Sequence, residues 1–294
     1  MTAAPSGEGG KVVLVGTPIG NLGDLSPRAV ASLSAADVIF CEDTRRTRKL
    51  LSAAGIPTPR LLSMHQHNEA AASGRAVELA TGGALVAVVT DAGMPGISDP
   101  GERVVAAAVE QGVAIEVVPG PSASVTALVA SGLPADRFCF EGFLPRRGQA
   151  RQDRLRRVAS SDCTTVLYEA PHRVVRTVSD LAAACGLERR MAVGRELTKI
   201  HEQLWRGTAG EAATWVAATE PRGEWVLVVG AAEPAGADQS SDAAVTAALR
   251  ARLDEGDDRR RAIATVAAEL RRPKREVYQL ALGLAPSQPE EIAP

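Results

Sequence analysis

The sequence is poor in aromatic residues and in cysteine pairs, and neither sign of charge dominates it. Phe, Trp and Tyr make up 3% of the 294 residues, which argues against a surface that grips single-stranded RNA mainly by base stacking. The formal net charge is −2, so any binding of nucleic acid must use local basic patches. No CxxC pair and no H-E-x-x-H segment occurs, so no metal site is predicted.

Long hydrophobic runs are also missing. No apolar stretch approaches the roughly 18 residues that a membrane-spanning helix needs. No charged segment leads into an apolar stretch near residue 1, as a secretory signal would require. We therefore expect a cytoplasmic location. Apolar residues make up 45% and charged residues 23%, which is close to the globular average and allows a sizeable core.

Strand-like and helix-like segments alternate along most of the chain. Between residues 11 and 121 this alternation predicts a mostly parallel sheet covered by helices on both faces. The pattern restarts and predicts a second α/β domain over 122–232. Residues 1–10 are expected to form a small polar tail and 233–242 a linker. Short, arginine-rich amphipathic helices are predicted over 243–284, as a small module that contacts RNA.

Three predicted strands end in loops that are rich in glycine and proline: "GTPIGN" (16–21), "DAGMPG" (91–96) and "PGPSA" (119–123). Open parallel sheets bind ligands outside the carboxyl ends of their strands. Glycine allows a close approach of the backbone, and proline fixes the loop. "GTPIGN" lacks the GxGxxG and GxxxxGK[ST] patterns of phosphate-binding loops. The loops therefore predict a cradle for a cofactor that is recognised largely by backbone groups.

Longer motifs carry a resemblance to a known family. In order, the chain contains "VGTPIGNLGDLSPRA", "CEDTRRTRKLL", "HQHNE", "VTDAGMPGISDPG", "VVPGPSA", "FEGFLPR", "YEAPHR" and "ELTKIHEQLWRG". This series resembles the bacterial 16S ribosomal RNA 2′-O-ribose methyltransferase I family, within the tetrapyrrole-methylase superfamily. The resemblance runs from about residue 11 to 230, and "AELRRPKREVY" resembles the C-terminal helical module of the family.

The resemblance implies two α/β domains with a cleft between them that binds S-adenosylmethionine (SAM), and it suggests a homodimer. It further implies methyl transfer to the ribose 2′-hydroxyl of a cytidine in 16S ribosomal RNA, near the decoding centre. Matching the motifs residue by residue gives the expected cofactor contacts. They are Pro18, Ile19, Asp91, Ala92, Gly93, Met94, Ile97, Ser122, Ala123, Tyr168 and Glu169.

Three residues are candidates for the catalytic chemistry. Methyl transfer to a hydroxyl needs a group that accepts the hydroxyl proton. Glu42 ends a predicted strand and aligns with the acceptor proposed for the superfamily. Asp43 follows it, although it could equally cap the helix that begins at Thr44. Lys199 could act as a base if burial lowered its pKa, but a phosphate contact or a salt bridge is the alternative.

Basic and polar residues in several motifs are candidates for contact with RNA. The segment 145–157 contains six arginines and one aspartate, and each cation that reaches a phosphate would add salt-dependent affinity. A solvated surface is the alternative interpretation of such a charge run. The expected substrate contacts are Arg45, His67, Asn68, Arg146, Arg147, Arg151 and Arg173.

Two other functions remain open at this point. The first is a C-methyltransferase that acts on a tetrapyrrole, which would need neither the arginine-rich segment nor the helical module. The second is a ribosome-assembly or RNA-binding module whose cofactor pocket has degenerated. The intact "DAGMPG" loop argues against a degenerate pocket, because a protein that had lost its cofactor would have no reason to keep this glycine-proline sequence.

Overall fold

The computed structural model describes residues 9–232, 242–270 and 272–284. The described chain forms two compact units, one up to Ala231 and one from Ala232 onward. Most of the predicted tail and linker lies outside the described residues. Within the three described ranges, no helix is long and apolar enough to cross a bilayer.

Five parallel strands form the first sheet of the larger unit. They are β1 Lys11–Val15, β2 Val38–Cys41, β3 Arg60–Ser63, β4 Leu85–Val89 and β5 Ala114–Val118, in the order β3-β2-β4-β1-β5. All pairings within this sheet are parallel, which confirms the parallel sheet that the alternating pattern predicts. The short strand β3 has no clear hydrophobic alternation and was not predicted.

Helices cover both faces of this sheet. They are α1 Pro27–Ala35, α2 Thr44–Ala53, α3 Glu69–Thr81 and α4 Glu102–Glu110. Successive side chains of a strand point to opposite faces: Val12 and Leu14 pack towards α3 and α4, whereas Val13 and Val15 pack towards α1 and α2. The near-continuous apolar strands follow from burial on both faces.

A second sheet in the same unit is mixed. Its strands are β6 Phe138–Phe143, β7 Thr164–Glu169, β8 Arg190–Arg195, β9 Gln203–Thr208 and β10 Trp225–Val229, in the order β6-β7-β10-β8-β9. Strand β10 inserts antiparallel between β7 and β8. The helices are α5 Ala123–Ser131, α6 Gln149–Ser160, α7 Pro171–Cys185 and α8 Ala209–Ala218. The charge run at 145–157 thus contains most of a helix, α6, that its arginines concealed.

The smaller unit contains three helices among its described residues. They are α9 Asp242–Asp254, α10 Arg259–Glu269 and α11 Lys274–Leu282. Val245, Leu249, Val266 and Val277 form a core of their own. This agrees with the predicted helical module, whose first helix begins at the last residue of the predicted linker.

Candidate active site

The loops after β1, β4 and β5 meet at one edge of the first sheet, where these three strands lie side by side. Thr17 and Gly93 exchange two backbone hydrogen bonds, with N–O distances of 2.9 and 3.1 Å. A β-carbon on Gly120 would lie 2.8 Å from the α-carbon of Gly16. The loops after β1 and β5 can therefore come this close only because both positions are glycine. Gly93 has a φ of 79°, which side chains disfavour. The three glycine-proline loops therefore converge, as their positions at the strand ends predict.

A cleft of about 340 Å³ opens between these loops and the second sheet. Ten of the eleven predicted cofactor contacts line this cleft. Those between Ile19 and Ala123 lie on the side of the first sheet, and Tyr168 and Glu169 of β7 lie on the side of the second sheet. Pro18 is the exception, although its neighbour Ile19 faces the cleft. That these residues contact SAM stays a prediction, but the structure brings them to one cavity.

Ten residues of the wall were not singled out from the sequence, and five of these ten have charged or aromatic side chains. Arg46, Asp99 and Phe143 lie in motifs that carry the resemblance, so a signal was present for these three. Glu224 and Trp225 reach the cleft because β10 returns between β7 and β8, and local sequence does not encode that pairing. The five residues are Arg46, Asp99, Phe143, Glu224 and Trp225.

Carboxyl groups dominate the polar part of the cleft. Burial, together with the nearby charge of Asp91, raises the pKa of Glu42. Burial also raises the pKa of Asp91, although Arg46, at 3.3 Å, opposes that shift. Burial and then the charges of Glu42, Asp91 and Glu224 raise the pKa of Asp99 to about 7. The cleft therefore holds a carboxyl, that of Asp99, whose pKa is about 7.

Asp43 has a structural task. Its carboxylate accepts a hydrogen bond from the backbone N–H of Arg45 at 2.7 Å and caps α2. That bond lowers the pKa of Asp43. Its own N–H donates to the Asp91 carboxylate at 3.1 Å. The alternative of a helix cap is confirmed, and a catalytic role for Asp43 stays a prediction.

Lys199 is engaged in two ion pairs that favour its protonated form. The segment between β8 and β9 is a turn rather than a strand, and Glu196 and Thr198 have positive φ values of 52° and 66°. Lys199 lies 2.7 Å from Glu196 and 3.1 Å from Glu224. Burial alone would lower the pKa of Lys199, but the two carboxylates outweigh it and the net shift is upward. The salt-bridge alternative is therefore the correct one.

The buried Glu169 pairs with the half-buried Arg173 beside the cleft. Arg173 lies 3.1 Å from the Glu169 carboxylate, which also accepts hydrogen bonds from Thr177 and from the N–H of Ala170. Arg173 further donates to the carbonyl of Leu144 at 2.5 Å. These contacts hold the end of β7 in place. Arg173 therefore has a positioning role in the chain, and its contact with RNA stays a prediction.

Arg151 is buried, with 2% of its side chain exposed. It donates to Asp180 from two nitrogens at 3.0 and 2.7 Å, to Thr177 at 3.0 Å and to the carbonyl of Pro145 at 3.1 Å. The prediction that Arg151 contacts RNA is therefore wrong. On α6 it occupies the face that packs against α7, and the unbroken run of arginines hid this helical periodicity.

The remaining predicted substrate contacts lie on the surface. Arg45, His67, Arg146 and Arg147 are exposed. Asn68 is half-buried and organises its loop, because its amide accepts from the N–H of His65 at 2.7 Å and donates to the carbonyl of Ser63 at 3.0 Å. Contact of these residues with RNA stays a prediction.

Comparison with known proteins decides the family. Residues 11–213 match the family described as Tetrapyrrole (Corrin/Porphyrin) Methylases. The chain belongs to this family. The tetrapyrrole methylase is 45% identical over 278 residues to "Ribosomal RNA small subunit methyltransferase I" of Synechocystis sp., covering 94% of this chain and 98% of the relative. It is 48% identical over 227 residues to the protein of the same name from Xylella fastidiosa, covering 76% and 83%.

A solved structure supports the same fold. Uroporphyrin-III C-methyl transferase from Thermus thermophilus, complexed with S-adenyl homocysteine, superimposes with a TM-score of 0.53 at 21% identity. The superposition covers 75% of the tetrapyrrole methylase and 97% of that enzyme. At this identity the likeness shows the fold alone.

Proposed function

We propose that this tetrapyrrole methylase transfers a methyl group from SAM to the ribose 2′-hydroxyl of a cytidine in 16S ribosomal RNA, near the decoding centre. One observation carries the proposal: the chain is 45% identical to a ribosomal RNA small subunit methyltransferase I over 98% of that relative. The match therefore extends beyond the part shared with tetrapyrrole methylases in general. We further propose that the enzyme works in the cytoplasm as a homodimer.

The cleft suits SAM in size and in chemistry. A cavity of about 340 Å³ falls within the usual range for small-molecule sites. The touching backbones of Gly16 and Gly120 and the left-handed Gly93 build a wall of peptide groups that a β-carbon would fill. When bound, SAM would supply a methyl group on a positively charged sulfur. The cleft-lining carboxyls of Glu42 and Asp91 complement that charge.

The protein's part in the reaction is orientation and removal of a proton. The loops after β1, β4 and β5 fix the cofactor's position relative to the second sheet, which the Glu169–Arg173 pair stabilises. A hydroxyl that is held in line with the methyl group gains most of its rate from this alignment. The remaining requirement is a group that takes the hydroxyl proton, and the carboxyls of the cleft are the available acceptors.

Exposed cations would bring the RNA to the cleft. Arg146 and Arg147 precede α6, and neither has an ion-pair partner among the described residues. Arg45 lies in the first turn of α2 and is exposed. Its neighbour Arg46 lines the cleft. Phosphate contacts of this kind position RNA without reading its sequence.

The deciding experiment is transfer of labelled methyl groups from SAM to purified 30S subunits that lack the modification. We expect label in the 16S RNA, in a nuclease-resistant dinucleotide that reports a 2′-O-methyl ribose. A uroporphyrinogen acceptor run in parallel tests the tetrapyrrole alternative, which is favoured if label appears there instead. Calorimetric titration with SAM tests the third alternative, since a degenerate pocket would bind none.

A further inference from the structure

The carboxyl groups of the cleft differ in what already holds them. Asp91 accepts from the N–H of Asp43 and pairs with Arg46. Glu224 pairs with Lys199 at 3.1 Å. Glu42 accepts a hydrogen bond from the backbone of Asp91. Each of these bonds stabilises the charged carboxylate and weakens it as a base.

Asp99 is different, because no hydrogen bond or ion pair reaches its carboxyl from any described residue. Asp99 lines the cleft. Acidic residues from several strands and loops lie around it. Glu42 stands at the end of β2, Asp91 at the end of β4 and Glu224 just before β10. Arg46 on α2 and Glu169 on β7 complete the charged lining. A carboxyl without donors in such surroundings holds a proton readily.

The backbone around Asp99 is held in a strained arrangement. Ser98 has a φ of 64°, a left-handed conformation that residues other than glycine rarely adopt. Gly96 and Gly101 flank it with φ values of 84° and 144°. The loop is fixed from outside by Glu69, whose carboxylate accepts from the N–H of Gly101 at 2.9 Å. Strain of this kind persists where the surrounding structure imposes it, and it is concentrated at functional sites.

We propose that Asp99 is the catalytic residue that accepts the proton of the ribose 2′-hydroxyl, in place of Glu42. The inference rests on the proposed function and deepens it. The ribose oxygen loses its proton to a carboxylate oxygen of Asp99 and forms a bond to the methyl carbon. The carbon–sulfur bond breaks, and its electron pair stays on sulfur. The negative charge of Asp99 and the positive charge of the sulfonium disappear together, so the charge balances.

The titration of Asp99 matches this task. A general base works best when its pKa lies near the working pH, and the pKa of Asp99 is raised to about 7 by burial and by its three acidic neighbours. Glu42 assists from a distance, since its charge is the largest of the three electrostatic contributions. In this proposal Glu42 acts through Asp99, because its charge raises the pKa of Asp99, and Asp99 accepts the proton.

The test compares Asp99→Asn with Glu42→Gln and with a matched control, Asp136→Asn, which removes an exposed carboxylate on another surface. Single-turnover transfer to 30S subunits at saturating SAM is measured from about pH 5 to about pH 9. We expect Asp99→Asn to lower the rate by about 10²–10⁴-fold, and its affinity for SAM to stay within about twofold of wild type. Asp136→Asn should match wild type throughout.

The shape of the pH profile separates the two carboxyls. The wild-type rate should rise through an inflection near 7 that Asp99→Asn lacks. Glu42→Gln should keep the inflection but move it to lower pH, because one of the charges that raise the pKa of Asp99 is removed. Carbon NMR of aspartate-labelled enzyme, without cofactor or RNA, should show one carboxyl that titrates near 7 and disappears in Asp99→Asn.

Three results would overturn the assignment: a normal rate in Asp99→Asn, a lost affinity for SAM in that variant, or an inflection abolished by Glu42→Gln. The last would return the role to Glu42, and the second would make Asp99 a cofactor ligand. If wild-type enzyme methylates no 30S subunit at all, the proposed function itself fails. If wild type is active and Asp99→Asn is equally fast, only the assignment of Asp99 fails.

Discussion

The backbones of Gly16 and Gly120 touch so closely that neither residue has room for a β-carbon. A β-carbon on Gly16 would lie 2.7 Å from the α-carbon of Gly120, and one on Gly120 would lie 2.8 Å from the α-carbon of Gly16. The contact ties the loop after β1 to the loop after β5. The shape of the cofactor cradle therefore depends on glycine at both positions, because every other residue type has a β-carbon there.

Gly120→Ala should separate the two loops. The added methyl group meets backbone rather than a flexible side chain, so we expect a loss of about 1–3 kcal/mol in the free energy of unfolding and a clear loss of SAM affinity. Urea denaturation and calorimetry measure the two effects. Gly74→Ala is the control, since nothing lies within 4 Å of its β-carbon position on helix α3. That change should stabilise the protein by about 0.5–1 kcal/mol. Unchanged SAM binding in Gly120→Ala would show that the contact does not shape the cradle.

Arg146 and Arg147 are predicted to bind RNA, so their joint replacement by glutamine should weaken binding to the 30S subunit. The slope of log K against log salt should fall by up to about 0.9 for each phosphate that an arginine no longer neutralises on a duplex, and by less on single strands. SAM affinity should not change, because neither residue lines the cleft. Binding measured at several salt concentrations tests this. An unaltered slope would assign the two arginines to a solvated surface.

Arg151, from the same charge run, should behave in the opposite way. Arg151→Met leaves Asp180, Thr177 and the carbonyl of Pro145 without their donor. We expect a loss of about 1–3 kcal/mol in the free energy of unfolding, with no effect on the salt dependence of RNA binding in the protein that remains folded. Arg156→Gln, which removes an exposed ion pair with Asp153 on the same helix, should cost less than about 1 kcal/mol. Equal stability of the two variants would contradict the buried role of Arg151.

Asp99 should make the fold less stable as the pH rises. Its pKa is about 7 in the folded protein and about 3.9 in an unfolded chain. Between these values the folded state binds more protons than the unfolded state, so stability falls as the pH increases through this window. We expect Asp99→Asn to melt at a higher temperature than wild type at about pH 8, and the difference to vanish below about pH 4. A melting temperature that is equal at both pH values would contradict the raised pKa.

The sequence predicts those parts of the site that are encoded locally. Ser26 accepts the N–H of Ala29 and Pro27 occupies the first turn of α1, as their residue types indicate. The three glycine-proline loops could be placed at the strand ends, and the parallel order of the sheet then brings them together. The resemblance adds Tyr168 and Glu169 from the second sheet.

Features that depend on pairing between distant segments could not be predicted. Glu224 and Trp225 reach the cleft only because β10 inserts between β7 and β8. The burial of Arg151 depends on Asp180, which lies one helix further along the chain. Asp99 lies within the motif "VTDAGMPGISDPG". Its carboxyl has no hydrogen-bond or ion-pair partner among the described residues, and this depends on the folded cleft and cannot be read from the motif.

The position of β10 has a consequence for synthesis. The cleft is lined by Ile19, which follows the first strand, and by Trp225 in the last strand of the larger unit. Strand β10 also forms the centre of the second sheet, so a nascent chain that has not yet released residue 229 from the ribosome cannot complete that sheet or its half of the cavity. The cofactor cleft of this enzyme is therefore completed only after nearly the whole of the larger unit has been translated.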